Sequence, residues 1–164
     1  MSALVTREDK DGLALLTLNR PDKLNSLTVG MFRELRAHAI DLKKDETIGC
    51  VVLRGAGRCF SAGHDLGDIA EGEKVPSPGW HSETLRMVET LPQPVIAAVH
   101  GHCYTGALEV ALAADFIIAA DTAKFAPATA GWCGHRQAPD VYSRDDQCGR
   151  GPADRTGRTG CTPR

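Results

Sequence analysis

The chain has 164 residues, 42% hydrophobic and 24% charged, with a formal net charge of −2, which is the length of one domain. The near-neutral balance gives no electrostatic case for nucleic acid or an anionic membrane, and no apolar run approaches the ~20 residues that span a bilayer. The start, Met1-Ser2-Ala3-Leu4-Val5-Thr6-Arg7-Glu8, turns polar at once, unlike a signal peptide, so a soluble, cytoplasmic protein is expected.

In chain order, Ala3–Thr6 and Leu13–Leu18 are short apolar runs separated by Asp11-Gly12, a hairpin signal. Residues 19–26 read as a loop because Pro21 and an Asn/Asp/Ser cluster interrupt regular structure. Thr28 is placed to cap a helix in which Met31, Leu35, His38, Ala39 and Leu42 recur at helical spacing. Gly49–Leu53 is a short β-branched run that predicts a buried strand. A glycine-rich loop, Gly55–Gly63, and a short helix, Asp65–Glu71, are expected next. Gly72–Gly79 is a connector with two prolines, and His81–Leu91 predicts a helix with Leu85, Val88 and Leu91 on one stripe.

Pro94–Val99 predicts another buried strand, followed by a turn and a helix over about Thr105–Ala113, then strands at Phe116–Ala119 and Ala123–Phe125. Strands alternating with helices give an α/β fold class. From Pro127 to Arg164 the character changes: these 38 residues contain no Leu, Ile, Met, Phe or Lys, but six Arg and six Gly. Such a composition cannot bury enough surface to offset its ordering entropy, which predicts disorder. It is also what a shifted frame of a GC-rich gene encodes, so the expected division is a domain over 1–126 and a foreign tail over 127–164. Of the six cysteines, Cys50, Cys59 and Cys103 lie in or beside apolar runs, where a thiol behaves as a small hydrophobe. Cys133, Cys148 and Cys161 form no Cys-x-x-Cys pair, so neither zinc nor a disulfide framework is expected.

Two stretches carry chemistry. Cys59-Phe60-Ser61-Ala62-Gly63-His64-Asp65-Leu66 is a small-residue turn after an apolar strand, and Gly101-His102-Cys103-Tyr104-Thr105-Gly106-Ala107-Leu108-Glu109 runs from a strand into a helix. Free N–H groups at a helix start suit a developing negative charge, and Gly106 would let a ligand approach that backbone closely. The turn around His64 would offer a second N–H, and two donors on one oxygen stabilise an enolate. Glu109, one helical turn on, would be placed to move a proton at the adjacent carbon. Each residue also has a plainer role: Gly106 allows close helix packing, Glu109 interacts with the helix dipole, and Lys23 is a solvated loop lysine. His64 and Asp65, being adjacent, make poor metal chelators, and no third ligand is apparent.

Leu18-Asn19-Arg20-Pro21…Asn25-Ser26-Leu27, Phe60-Ser61-Ala62-Gly63-His64-Asp65-Leu66, Gly101…Thr105-Gly106-Ala107-Leu108-Glu109 and Ala114-Asp115-Phe116 occur in that order. On these four motifs residues 11–126 resemble the crotonase (enoyl-CoA hydratase/isomerase) superfamily. The resemblance implies an incomplete crotonase-like ββα spiral fold. It implies that His64 and Gly106 supply oxyanion-hole N–H groups, that Glu109 matches the first of two hydratase glutamates, and that Lys23, Leu24, Ala62, Asp65 and Leu66 line the coenzyme A site. It further implies an acyl-CoA thioester substrate, coenzyme A only as part of that substrate, no metal, and a homotrimer or hexamer.

The expected activity is hydration of a 2-enoyl-CoA, with double-bond isomerisation or a non-catalytic fragment as alternatives. Where the second glutamate is expected, Ala126-Pro127-Ala128-Thr129-Ala130-Gly131 carries no acid.

Overall fold

The structure is a computed structural model that describes residues 3–72, 74–127 and 141–142. Strands β1 (Val5–Lys10) and β2 (Leu13–Leu18) pair antiparallel across Asp11-Gly12, whose φ values of 51° and 79° are those of a tight hairpin turn. The first strand begins and ends later than its apolar run suggests. The hairpin extends it to Lys10, since every residue from Val5 on gains a partner in β2.

Helix α1 (Val29–Leu42) starts where Thr28 Oγ1 accepts the Met31 N–H at 3.1 Å. It buries Met31, Phe32, Leu35, Ala39 and Leu42, the expected stripe plus Phe32. His38 sits at its edge, with Nε2 3.2 Å from the Val5 carbonyl. The chain then returns as β3 (Cys50–Gly55), parallel to β2. Next come α2 (Leu66–Ala70), α3 (Trp80–Glu89) and β4 (Val95–Val99), parallel to β3. The α3 stripe differs from expectation: Trp80, Thr84 and Val88 are buried, whereas Leu85 and Leu91 are only partly covered.

Strand β5 (His102–Tyr104) intervenes before α4 (Gly106–Leu112), where a plain turn was expected, and β6 (Phe116–Ala119) and β7 (Lys124–Ala126) follow. The Asp115 carboxylate accepts the Val95 N–H at 2.8 Å and so ties the start of β6 to β4. A two-residue strand β8 (Val141–Tyr142) pairs with Ile117 and Ile118. The main sheet is ordered β1-β2-β3-β4-β6-β8, and β5 and β7 form a second, small sheet. Apart from Pro127 and β8, the expectation for 127–164 lies outside the described residues, as do Cys133, Cys148 and Cys161.

The main sheet buries alternate residues, among them Ala14, Leu16, Val51, Leu53, Val95, Ala97, Val99 and Ile117, against α1, α3 and α4. Burying each large aliphatic side chain stabilises the fold by about 1.5–3 kcal/mol. The opposite face of β6 is open: Phe116 and Ile118 are 58% and 55% exposed. Beside the main sheet, short extended segments form a second ladder: Leu27 bridges His64, Ser61 bridges Cys103, and Cys103 pairs with Phe125. This ladder brings the two chemistry-bearing stretches together.

Candidate active site

The loop Gly55–Gly63 and the segment after β4 lie side by side. Phe60 N–H donates to the His100 carbonyl at 2.7 Å, Ser61 N–H to that of His102 at 2.9 Å, and Tyr104 N–H returns to that of Ser61 at 3.3 Å. On the far side, Leu27 N–H donates to the Gly63 carbonyl and Asp65 N–H to the Leu27 carbonyl. Peptide groups alternate in direction along an extended chain. With its neighbours pointing at Leu27, the N–H of His64 points away from it.

Gly106 is the first residue of α4, so its N–H precedes the helical hydrogen-bond ladder. Among the described residues neither the His64 nor the Gly106 N–H has a protein acceptor. Gly106 is buried and His64 half-buried. Donors in such a setting call for an acceptor from water or a ligand. With only seven residues, α4 is a modest dipole, so the donors themselves matter more than the helix.

The face of Gly106 expected to admit a ligand is already occupied. A Cβ built there would overlap Cε1 and Nδ1 of the His64 imidazole. That ring is stacked on Phe32 with centroids 6.0 Å apart, and its centroid lies 5.5 Å from that of His81. Gly63, at φ +98°, is equally confined, because a Cβ there would overlap the Thr105 Oγ1. Thr105 itself holds φ 48° and ψ −117°, a conformation that costs a β-branched residue about 1–3 kcal/mol.

Four residues of the sequence motifs that were given no role of their own, Arg20, Asn25, Ser26 and Ser61, hold the site together. Arg20 Nη1 donates to Asp65 Oδ2 at 2.9 Å and to the Ser26 carbonyl at 2.8 Å, and Ser26 Oγ donates to the same Asp65 oxygen at 2.8 Å. The other Asp65 oxygen caps α2 by accepting the Gly67 N–H at 2.9 Å. The Ser26 hydroxyl first, and then the Arg20 guanidinium, hold the Asp65 carboxyl at about 2. Fully buried Asn25 donates from Nδ2 to the carbonyls of Ala56 and Cys59 at 2.8 and 2.9 Å and accepts the Arg20 N–H. Ser61, also fully buried, donates to the Asn25 carbonyl and accepts the Gly63 N–H. Polar residues clustered among apolar runs were the available signal for this network.

A cleft of about 810 Å³ opens beside the two loops, lined by Lys23, Ala62, His64, Asp65, Leu66 and Thr105 among others. Of the residues expected at a coenzyme A site, Leu24 alone is absent from the lining. It is half-buried, and its carbonyl accepts the Ala62 N–H. Lys23 is exposed at the cleft, and Leu66 and Ile69 of α2 are 81% and 51% exposed there, an apolar lip. Glu109 is half-buried on α4, three residues after Gly106, and makes no side-chain hydrogen bond or ion pair among the described residues. Asp65, by contrast, has both oxygens engaged. Among the described residues no group of three or more His, Cys, Asp or Glu could hold a metal ion. Cys103 is buried, which pushes its thiol up to about 12 and leaves it inert at neutral pH.

The family model described as enoyl-CoA hydratase/isomerase matches residues 8–132. The chain is 36% identical over 132 residues to 1,2-epoxyphenylacetyl-CoA isomerase from Escherichia coli, covering 76% of this chain and 50% of that protein. Among solved structures, it is similar to a monofunctional enoyl CoA isomerase from M. smegmatis (35% identity, TM-score 0.66, 77% of this chain and 55% of that one). It is also similar to an enoyl-CoA hydratase from Mycobacterium avium subsp. paratuberculosis (32% identity, TM-score 0.65, 75% and 47%). The chain therefore spans about half the length of the relatives it matches. No helix among the described residues is long and apolar enough to cross a membrane. On its family match and its shared architecture, this chain belongs to the enoyl-CoA hydratase/isomerase family, with the crotonase fold present in part.

Proposed function

We propose that the cleft binds an acyl-CoA thioester and that the backbone amides of His64 and Gly106 hold its carbonyl oxygen while an enolate forms. The observation that carries this is the pair of N–H groups without an acceptor among the described residues, on two segments that the Leu27, Ser61 and Cys103 bridges hold side by side. Each such donor contributes about 3–4 kcal/mol to an oxyanion transition state. The exposed ammonium of Lys23 suits coenzyme A phosphates, and Leu66 and Ile69 offer apolar contact to the rest of the cofactor-derived chain. Glu109 is the base: its carboxylate is uncommitted, while Asp65 is held by Ser26 and Arg20.

Hydration of a 2-enoyl-CoA is the leading activity, with Glu109 directing water onto the conjugated double bond and a proton reaching the α-carbon. Isomerisation is the second, since moving a double bond needs only one group that removes and returns the same proton, a role Glu109 fills alone. Crotonyl-CoA absorbance in the ultraviolet distinguishes them. Loss of conjugation supports hydration, gain of conjugation from a 3-enoyl-CoA supports isomerisation, and no change in either above buffer rejects both. Glu109→Gln is expected to abolish turnover with thioester binding retained, and unchanged turnover removes Glu109 from the mechanism.

A further inference from the structure

His64 and Thr105 contact each other's loops in a reciprocal way. The Thr105 hydroxyl, from the second loop, lies on the Cα of Gly63 in the first, and the His64 imidazole, from the first, lies on the Cα of Gly106 in the second. Each glycine thus receives the side chain that neighbours the other. Resting on the assignment of the two amides above, we infer that this exchange is a clasp fixing their separation, and that the side chains of His64 and Thr105 are positioning residues.

Both knobs are anchored. The His64 ring stacks on Phe32, itself 2% exposed, and its centroid lies 5.5 Å from that of His81. Thr105 is held through its backbone: its N–H donates to the Ala126 carbonyl at 2.7 Å, and its carbonyl accepts from Leu108 at 3.0 Å and Glu109 at 3.2 Å. The φ of 48° and ψ of −117° at Thr105 together set the direction of the peptide that carries the Gly106 N–H. A glycine would adopt this backbone without strain but would supply no hydroxyl to meet Gly63. A threonine retained in a strained conformation, with its hydroxyl against the opposite loop, is accounted for by the clasp. The Thr105 carbonyl also accepts the Glu109 N–H, which ties the backbone that carries the proposed base to the same device.

The test uses the 164-residue chain with Thr105→Gly, Thr105→Ser and His64→Ala. Thr105→Gly relieves the backbone, so the variant is expected to melt within about 5 °C of the parent. In ligand-free protein, ¹⁵N order parameters at His64 and Gly106 are expected to fall from about 0.85 to below about 0.6 in Thr105→Gly, and to stay near the parent value in Thr105→Ser. His64→Ala is expected to lower the Gly106 value in the same way. Unchanged order parameters in folded Thr105→Gly overturn the clasp.

Difference infrared spectroscopy of bound butanoyl-CoA, ¹³C-labelled at the thioester carbonyl, supplies the functional arm. The carbonyl stretch lowered in the parent is expected to return toward its free frequency in Thr105→Gly, with affinity changed less than threefold, and to be restored in Thr105→Ser. A stretch equally lowered in Thr105→Gly also overturns the inference. A stretch not lowered even in the parent rejects the proposed function instead, and the order parameters then judge the clasp alone.

Discussion

Adding one methyl group at Gly106 separates the chemistry from the fold more cleanly than any other change. In Gly106→Ala the new Cβ occupies the position of the His64 Cε1 and Nδ1, with Nε2 3.3 Å away. The ring is confined, because it stacks on Phe32, a residue of the buried core, and lies close to His81. Overpacking of this kind costs about 1–3 kcal/mol. Alanine's better helix propensity recovers less than about 1 kcal/mol at a first helical position. The net loss of stability is therefore about 1–2 kcal/mol, or roughly 3–8 °C in Tm for a domain of this size.

The functional loss is larger. Relieving the overlap moves either the His64 or the Gly106 peptide, and under the proposed function the loss of one donor is expected to lower kcat by about 10²–10³. The assay pairs crotonyl-CoA turnover with a thermal melt, for Gly106→Ala and for Gly106→Ala combined with His64→Ala. The double variant is expected to melt above the single one, since removing the ring makes room for the methyl. A single variant matching the parent in both Tm and kcat, or a double variant no more stable than the single, refutes the geometry.

Further expectations concern the network behind the loops. The depressed Asp65 carboxyl contributes stability that is fully present above its ordinary value of 3.8 and is lost as pH falls through about 2. The shift corresponds to at most roughly 2.5 kcal/mol, and screening at a partly exposed ion pair reduces it to about 1 kcal/mol. Asp65→Asn is expected to lower Tm at pH 7 and to narrow its gap from the parent between pH 4 and 2, and a gap constant with pH contradicts the assignment. Asn25→Ala strands the Ala56 and Cys59 carbonyls and the Arg20 N–H in or near the interior, at a cost of about 2–4 kcal/mol. Urea unfolding checks this, and a midpoint within error of the parent rejects it. At pH 8 iodoacetamide is expected to label half-buried Cys50 well before buried Cys103, whose thiol is raised to about 12. Peptide mapping showing equal labelling in the folded protein would contradict the burial.

The hairpin at Asp11-Gly12, the Thr28 cap and the α1 stripe were legible in the sequence because each depends on neighbours within one or two turns. The four ordered motifs likewise foretold which loops would meet. The β5 strand was not legible: its three residues are extended only because β7 and Ser61 lie beside them. For the same reason the bridge of Leu27 to His64, which turns the His64 N–H outward, has no local signature.

Gly106 is the most instructive residue. A glycine was expected there to leave space for a ligand, whereas the space above it holds a side chain from 42 positions earlier, an occupant that only tertiary structure reveals. Thr105 gave no warning either, since a β-branched residue is the last expected at positive φ. The α3 stripe shifted to Trp80, Thr84 and Val88 because the helix packs on α1 and places Trp80 against Phe32, centroids 6.4 Å apart.

The most direct measurement is a structure of the chain with butanoyl-CoA bound. The thioester oxygen is expected about 2.7–3.1 Å from both the His64 and Gly106 amide nitrogens, within one hydrogen bond of each. A thioester whose oxygen meets neither amide, or only one, contradicts this expectation.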